Sequence, residues 1–298
     1  MIRFLIPILL IITAWCSEVN AQNLLQEGYY VACGDSKLLI IDPLKSTATH
    51  TEILWEWDAQ TATDIPEEYK SLLVSLDECK PVLDNRKILV CSSSGATLLI
   101  DVKSKTVEFY AKTPMAHSAA MLPNNRIAVA NSTHKQGNSL ELYEIGKSET
   151  RLFTDTLYSG HGAIWLESSE SLYVLGFNRL KAYSLEDWDN DNPSLKLEKT
   201  WLLPNAGGHD LSMGKDGKLL ITTHHNVFSF DTATGQFTEF VPLAGKENIK
   251  SLNYFQHENN YVYTIAEESW WTENIYETNS KKIISLPGLR LYKVRVVQ

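Results

Sequence analysis

Short β-rich runs separated by polar turns recur along almost the whole chain. In Leu83-Asp84-Asn85-Arg86-Lys87-Ile88-Leu89-Val90 an apolar residue leads into a polar turn and then an apolar run. Leu122-Pro123-Asn124-Asn125-Arg126-Ile127-Ala128-Val129 repeats that shape, which returns at 166–175, 213–222 and 254–264. Such runs, bounded by Asn, Asp, Gly and Pro, read as strands joined in hairpins. Anchored on the turns, successive units begin at Glu78, His117, His161, His209 and Lys250, with spacings of 39, 44, 48 and 41. A repeat of that length with several short strands per unit is the mark of a β-propeller. A third strand follows each hairpin (98–101, 140–145, 180–184, 227–231), and a fourth often follows that (106–110, 150–154, 237–241).

The N-terminal segments 29–33, 38–42 and 52–57 supply three more strands, and the alternating segment 289–297 closes the ring with them. Closure across the termini removes exposed sheet edges. The pattern therefore predicts an all-β propeller of about six blades, one domain over 22–298. The place of the closing strand is open. Leu291-Tyr292-Lys293-Val294 resembles Leu142-Tyr143-Glu144-Ile145, a third strand, and in that case 270–288 is an insertion. The segment 66–73 breaks the repeat and reads as a short helix.

Composition narrows the setting. The chain has 298 residues and a net charge of -9, and no block of Lys or Arg suggests a nucleic-acid groove. Residues 1–21 read as a secretory signal: Arg3, the apolar run 4–15, then Val19-Asn20-Ala21 before a cleavage site. A secreted or periplasmic protein is expected, with no membrane span in the mature chain. Trp15 before Cys16 makes a poor lipobox, so a lipid anchor is the weaker reading. Of the remaining cysteines, Cys79 and Cys91 would face each other if the hairpin turns about Asn85. That pair is either a disulfide or two buried thiols.

Leu76-Asp77-Glu78-Cys79-Lys80-Pro81, Pro114-Met115-Ala116-His117-Ser118-Ala119, Tyr158-Ser159-Gly160-His161-Gly162, Gly207-Gly208-His209-Asp210-Leu211 and Ser269-Trp270-Trp271-Thr272 together resemble a family of secreted bacterial proteins of unknown function. The resemblance covers roughly 28–297. It implies a six-bladed propeller and export, and it carries no established activity.

In a propeller the first strand of each blade starts at one face and the second returns to it. The unit starters and the second-strand exits should therefore line one funnel. Six of the eight histidines fall in those two sets: His117, His134, His161, His209, His224 and His225. His117, His161 and His209, with Glu78, are the candidate ligands for a divalent metal such as zinc, manganese or calcium. The competing reading is that each imidazole merely ties one blade to the next by hydrogen bonds. His161 or His209 is the candidate base, and Lys250 or Tyr158 the candidate acid. Trp270 and Trp271, with His134 and His224, are candidates for substrate contact, since Trp stacks on sugar rings. Trp55 and Trp57 share a strand face and read as core. Arg86, Arg126 and Arg179 follow turns and are expected at solvent or the opposite mouth.

No Gly-x-Ser-x-Gly elbow, phosphate-binding glycine loop or His-Glu-x-x-His occurs. The acidic run 187–192 lacks the glycine and distal glutamate of an EF-hand loop. Two functional classes follow: a lyase- or hydrolase-type enzyme on a uronic-acid-containing oligosaccharide, or a non-catalytic module that binds a glycan or protein. A scaffold using its flat faces is a third. The protein is expected to be a monomer.

Overall fold

The computed structural model describes residues 24–279 and 283–298. The segment 1–21 that reads as a secretory signal, with Cys16, lies outside the described residues. Six four-stranded antiparallel sheets stand around an axis. The N-terminus contributes β1 (Tyr30–Gly34), β2 (Lys37–Ile41) and β3 (Ile53–Asp58). The second blade holds β4 (Leu76–Val82), β5 (Lys87–Ser92), β6 (Ala96–Asp101) and β7 (Val107–Lys112). The third holds β8 (Ala116–Leu122), β9 (Arg126–Asn131), β10 (Ser139–Glu144) and β11 (Phe153–Thr156). The fourth holds β12 (Gly162–Leu166), β13 (Ser171–Leu175), β14 (Arg179–Glu186) and β15 (Ser194–Leu202). The fifth holds β16 (Asp210–Met213), β17 (Leu219–Thr222), β18 (Val227–Asp231) and β19 (Gln236–Glu239). The sixth holds β20 (Ile249–Phe255), β21 (Asn260–Ile265), β22 (Asn274–Glu277) and β23 (Ile283–Ser285). The segment read as a helix forms a 3-10 turn over Glu67–Leu72.

The C-terminal strand β24 (Leu291–Val296) pairs with β1 and stands innermost in the first blade. It is a first strand, not the third that its likeness to 142–145 suggested. Accordingly β22 and β23 pair as the outer strands of the sixth blade, and 270–288 is no simple insertion. The innermost strand is the one buried by neighbours on both sides. All six residues of β24 are buried.

Between neighbouring blades lie six hydrophobic clusters, such as Val31, Leu38 and Trp55 against Ile88, Leu98 and Ile100. Each buried aliphatic side chain there contributes about 1.5–3 kcal/mol. The core is therefore divided into layers between sheets, and polar groups gather along part of the axis. Trp55 and Trp57 are core as read. Arg126 departs from its expectation: it is buried, 4.4 Å over the Trp188 ring and paired with Glu144. The hairpin of the second blade is also shifted. Its turn spans 83–86, with Leu83, Asp84 and Asn85 left-handed, so Cys79 pairs with Val90 and Cys91 with Glu78. Cys33, Cys79 and Cys91 are free buried thiols.

Candidate functional site

Each inner strand begins at the same end of the axis, and four of them begin with an extra residue. Register shifts set off Asp77 in β4, His117 in β8, Lys250 in β20 and Tyr292 in β24. A bulge places two residues opposite one and re-aims a side chain. In the other two blades the equivalent residues are His161 and His209, whose amides donate to the carbonyls of Leu175 and Thr222 just before the strands begin. One ring of six thus lines the upper end: Asp77, His117, His161, His209, Lys250 and Tyr292. Glu78, expected in this ring, lies one position farther down.

The imidazoles meet. Ring centres are 4.3 Å apart for His117 and His161, 5.6 Å for His161 and His209, and 4.6 Å for His209 and His224. Gly207 makes the last approach possible: a Cβ there would lie 2.3 Å from Cγ of His224. On the other side the Tyr292 ring is 5.8 Å from His117, and Trp270 is 6.1 Å from Tyr292. Trp270 also lies against Arg290. The aromatic arc thus runs from Trp270 through Tyr292 and three axial imidazoles to His224.

Hydrogen bonding fixes the tautomers. Nδ1 of His117 lies 2.9 Å from the Met115 carbonyl, and Nδ1 of His161 lies 2.9 Å from the Ser159 carbonyl. A carbonyl only accepts, so both Nδ1 atoms carry the proton and both Nε2 atoms keep a lone pair. In His209 it is Nε2 that faces a donor, the Lys250 ammonium at 3.0 Å, and Nδ1 is buried with no partner among the described residues. Burial drives all three pKa values down: His117 to about 4, His209 to about 2 with Lys250 adding to the effect, and His161 well below the usual range. These imidazoles are neutral at pH 7.

Lys250 is 8% exposed, its side-chain partner is the His209 imidazole, and it has no carboxylate within ion-pair distance among the described residues. Burial, then the neighbouring Lys293, lowers its pKa to about 8, against a smaller opposing effect of the Asp77 carboxylate. Burial raises the Asp77 carboxyl to about 7, although Ser93 donates its amide to it.

Below the ring an ion cluster closes the axis. Arg295 is 4% exposed and reaches two carboxylates from different blades. Its Nε and Nη2 donate to Glu78 at 2.7 and 2.8 Å, and its Nη1 and Nη2 donate to Asp210 at 2.8 and 2.7 Å. Lys293 adds contacts to Asp210 at 3.1 Å and to Glu78 at 3.5 Å. Burial alone would push both carboxyls up, but Arg295 and Lys293 hold them below their ordinary values. Glu78 is thus engaged in this cluster, and Ser118 donates to it at 2.8 Å.

The remaining expected residues scatter. Tyr158 is 60% exposed on the rim, its ring 5.7 Å from Phe177, which meets His224. His134 is exposed and accepts from the amide of Gln136 in its own turn. His225 is exposed beside Glu247. Trp271 is half-buried in a bridge with Glu268. The structure brings together His117, His161, His209, His224, Lys250 and Trp270. It adds Asp77, Tyr292 and the Arg295 cluster, which the sequence reading missed. Among the described residues, no group of three or more His, Cys, Asp or Glu is arranged to hold a metal ion.

Solved structures share this fold at low identity. A protein of unknown function from Bacteroides caccae is similar at 12% identity and a TM-score of 0.61, covering 92% of this chain and all of that one. A chain of the nidogen–laminin complex has 13% identity and a TM-score of 0.61, over 91% and 98% of the two chains. Hydrazine synthase of Kuenenia stuttgartiensis has 13% identity and a TM-score of 0.51, over 72% and 67%. At such identities the likeness shows the fold alone. No curated protein matches in sequence. A family profile matches residues 9–298, nearly the whole chain, and the protein therefore belongs to DUF6528, a family of unknown function.

Proposed function

We propose that the upper end of the axis recognises the carboxylate of an anionic sugar, such as a uronic-acid-containing oligosaccharide. The observation that carries this is Lys250: a buried ammonium whose hydrogen-bond partner is a neutral imidazole. Buried cations are ordinarily paired with anions. A ligand carboxylate supplies the missing partner. The Nε2 lone pairs of His117 and His161 accept from sugar hydroxyls, and the half-buried indole of Trp270 offers a stacking surface. Export, read from residues 1–21, would bring such a ligand within reach.

A second reading adds chemistry. The 3.0 Å contact between Lys250 and His209 joins a proton donor to a proton acceptor. Lyase-type elimination next to a carboxylate needs charge neutralisation, a base and an acid. This pair with a neighbouring imidazole offers all three. No step of it runs through a metal.

Calorimetric titration with digalacturonate and with neutral galactobiose tests the recognition. The acid binds, the neutral sugar does not, and Lys250→Met weakens the acid by about tenfold or more. Equal binding of both sugars, or an unchanged Lys250→Met variant, overturns it. Ultraviolet absorbance from an unsaturated uronate product would add turnover. Binding without product assigns a binding module. Zinc and manganese analysis of the purified protein separates metal-assisted from metal-free versions.

A further inference from the structure

The opposite end of the same axis holds a cavity of about 370 Å³, lined by residues from all six innermost strands. Ligand pockets commonly have volumes of roughly 300–1,000 Å³, with apolar walls and a few convergent polar groups. This one fits that description. Val82, Met121, Ile164, Met213 and Val296 form apolar walls, and Lys80 and Arg295 are its charged interior lining. The one carboxylate on its lining, Glu167, is exposed.

The charges do not cancel there. The cluster between the two ends holds the cations Lys80, Lys293 and Arg295 against the carboxylates Glu78 and Asp210. Arg295 holds both carboxylates at 2.7–2.8 Å, and Lys293 adds a 3.1 Å contact to Asp210. Lys80 is the surplus cation: like Lys293 it reaches Glu78 at 3.5 Å, but unlike Lys293 it has no second carboxylate at ion-pair distance among the described residues, and its shorter contacts are neutral oxygens of Ser118, Ala119 and Ala163. Its side chain is 17% exposed, toward the cavity it lines. Arg295, with four hydrogen bonds to the carboxylates, keeps one Nη1–H uncommitted among the described residues.

We propose that this lower cavity is a second ligand site, specific for a small carboxylate with an apolar body. The carboxylate neutralises Lys80 and takes the remaining Arg295 N–H, and the body packs against the two methionines and their aliphatic neighbours. Methionine walls suit this because the thioether side chain adapts to irregular shapes. The site does not depend on the function proposed for the upper end, because the ion cluster separates the two.

Three of the four methionines of the chain report on the two ends separately. Met121 and Met213 line the lower cavity, and Met115 lies beside His117 at the upper end. Methyl-labelled methionine NMR with phenylacetate as probe, and phenylethanol as neutral control, tests the site in the full chain. Phenylacetate shifts the Met121 and Met213 signals and leaves Met115 in place, and phenylethanol binds about tenfold more weakly or worse. Met213→Glu sets a negative charge on an already exposed position (42% exposed), so it folds normally and loses phenylacetate affinity by a similar factor. Unmoved Met121 and Met213 signals at millimolar phenylacetate overturn the proposal. So does equal binding of phenylethanol, or an undiminished affinity in Met213→Glu.

Discussion

The two ends of the propeller axis are built from the same six strands, yet they differ in kind. At the upper end the side chains crowd: imidazole centres stand 4.3 to 5.6 Å apart, and the ring residues are nearly all buried. At the lower end the same strands have diverged into alanine, isoleucine, valine and methionine, and a cavity of about 370 Å³ opens. The bulges explain the contrast. In four of the six blades they turn one extra residue inward at the top, and the regular alternation below them sends alternate residues toward the axis. Between the ends, Arg295 joins carboxylates of two blades and closes the passage. A shared scaffold therefore offers one crowded polar surface and one roomy apolar pocket, with a buried charge cluster as the wall between them.

Breaking that wall should have the largest effect. Arg295→Met leaves Glu78 and Asp210 buried with only lysines to compensate. Removing one partner of a buried ion pair costs about 3–5 kcal/mol, read as a lower urea midpoint. An unchanged midpoint would mean that the cluster does not hold the inner strands together.

The upper end should be acid-sensitive. The His117 pKa falls from 6.5 to about 4 on folding, so its contribution is complete above the unfolded value and is lost as pH falls toward the folded one. Across that window the unfolded chain binds the extra proton, worth about 3 kcal/mol for this residue. His117→Gln should therefore close its stability gap to the parent by about that amount between pH 7 and pH 4. Asp77, raised from 3.8 to about 7, acts in the opposite sense: its contribution is present at low pH and lost as pH rises through 7. The comparison of parent and variant isolates the histidine from it. A gap that does not move with pH would place His117 in a wetter setting than described.

Lys250→Met sharpens the contrast further. The ammonium is buried with no carboxylate at ion-pair distance among the described residues, and only the more distant Asp77 favours its charge, so its removal should leave stability at pH 7 unchanged or raise it by about 1 kcal/mol. A substantial loss would show that Lys250 is structural. The smallest effect is expected from reductant. Cys33, Cys79 and Cys91 are unlinked, so dithiothreitol should not shift the melting temperature, and a fall would reveal a disulfide.

The repeat was legible because its turns carry their own chemistry. Asp84, Asn85, Asn124 and Asn125 all adopt the left-handed conformation that Asn and Asp tolerate best. The convergence of His117, His161 and His209 followed from that repeat. The bulges were not legible, since an extra residue changes no composition and only shifts alternation by one. That is why Glu78 was placed where Asp77 stands, and why Tyr292 went unnoticed. The Arg295–Asp210 contact spans 85 residues of sequence, and only the closed ring brings its ends together. The innermost place of β24 was hidden for a related reason. Alternation marks a strand, and the local pattern of 291–294 is the same in first and third strands.

The claim on which the upper site rests is that Lys250 is a buried cation awaiting an anion. Lysine side-chain NMR, followed as a pH titration with and without digalacturonate, tests it directly. The Lys250 signal should titrate near pH 8 in the free protein and move up toward 10.5 when the ligand saturates the site. A free Lys250 that already titrates near 10.5 and does not respond to the ligand would contradict the claim.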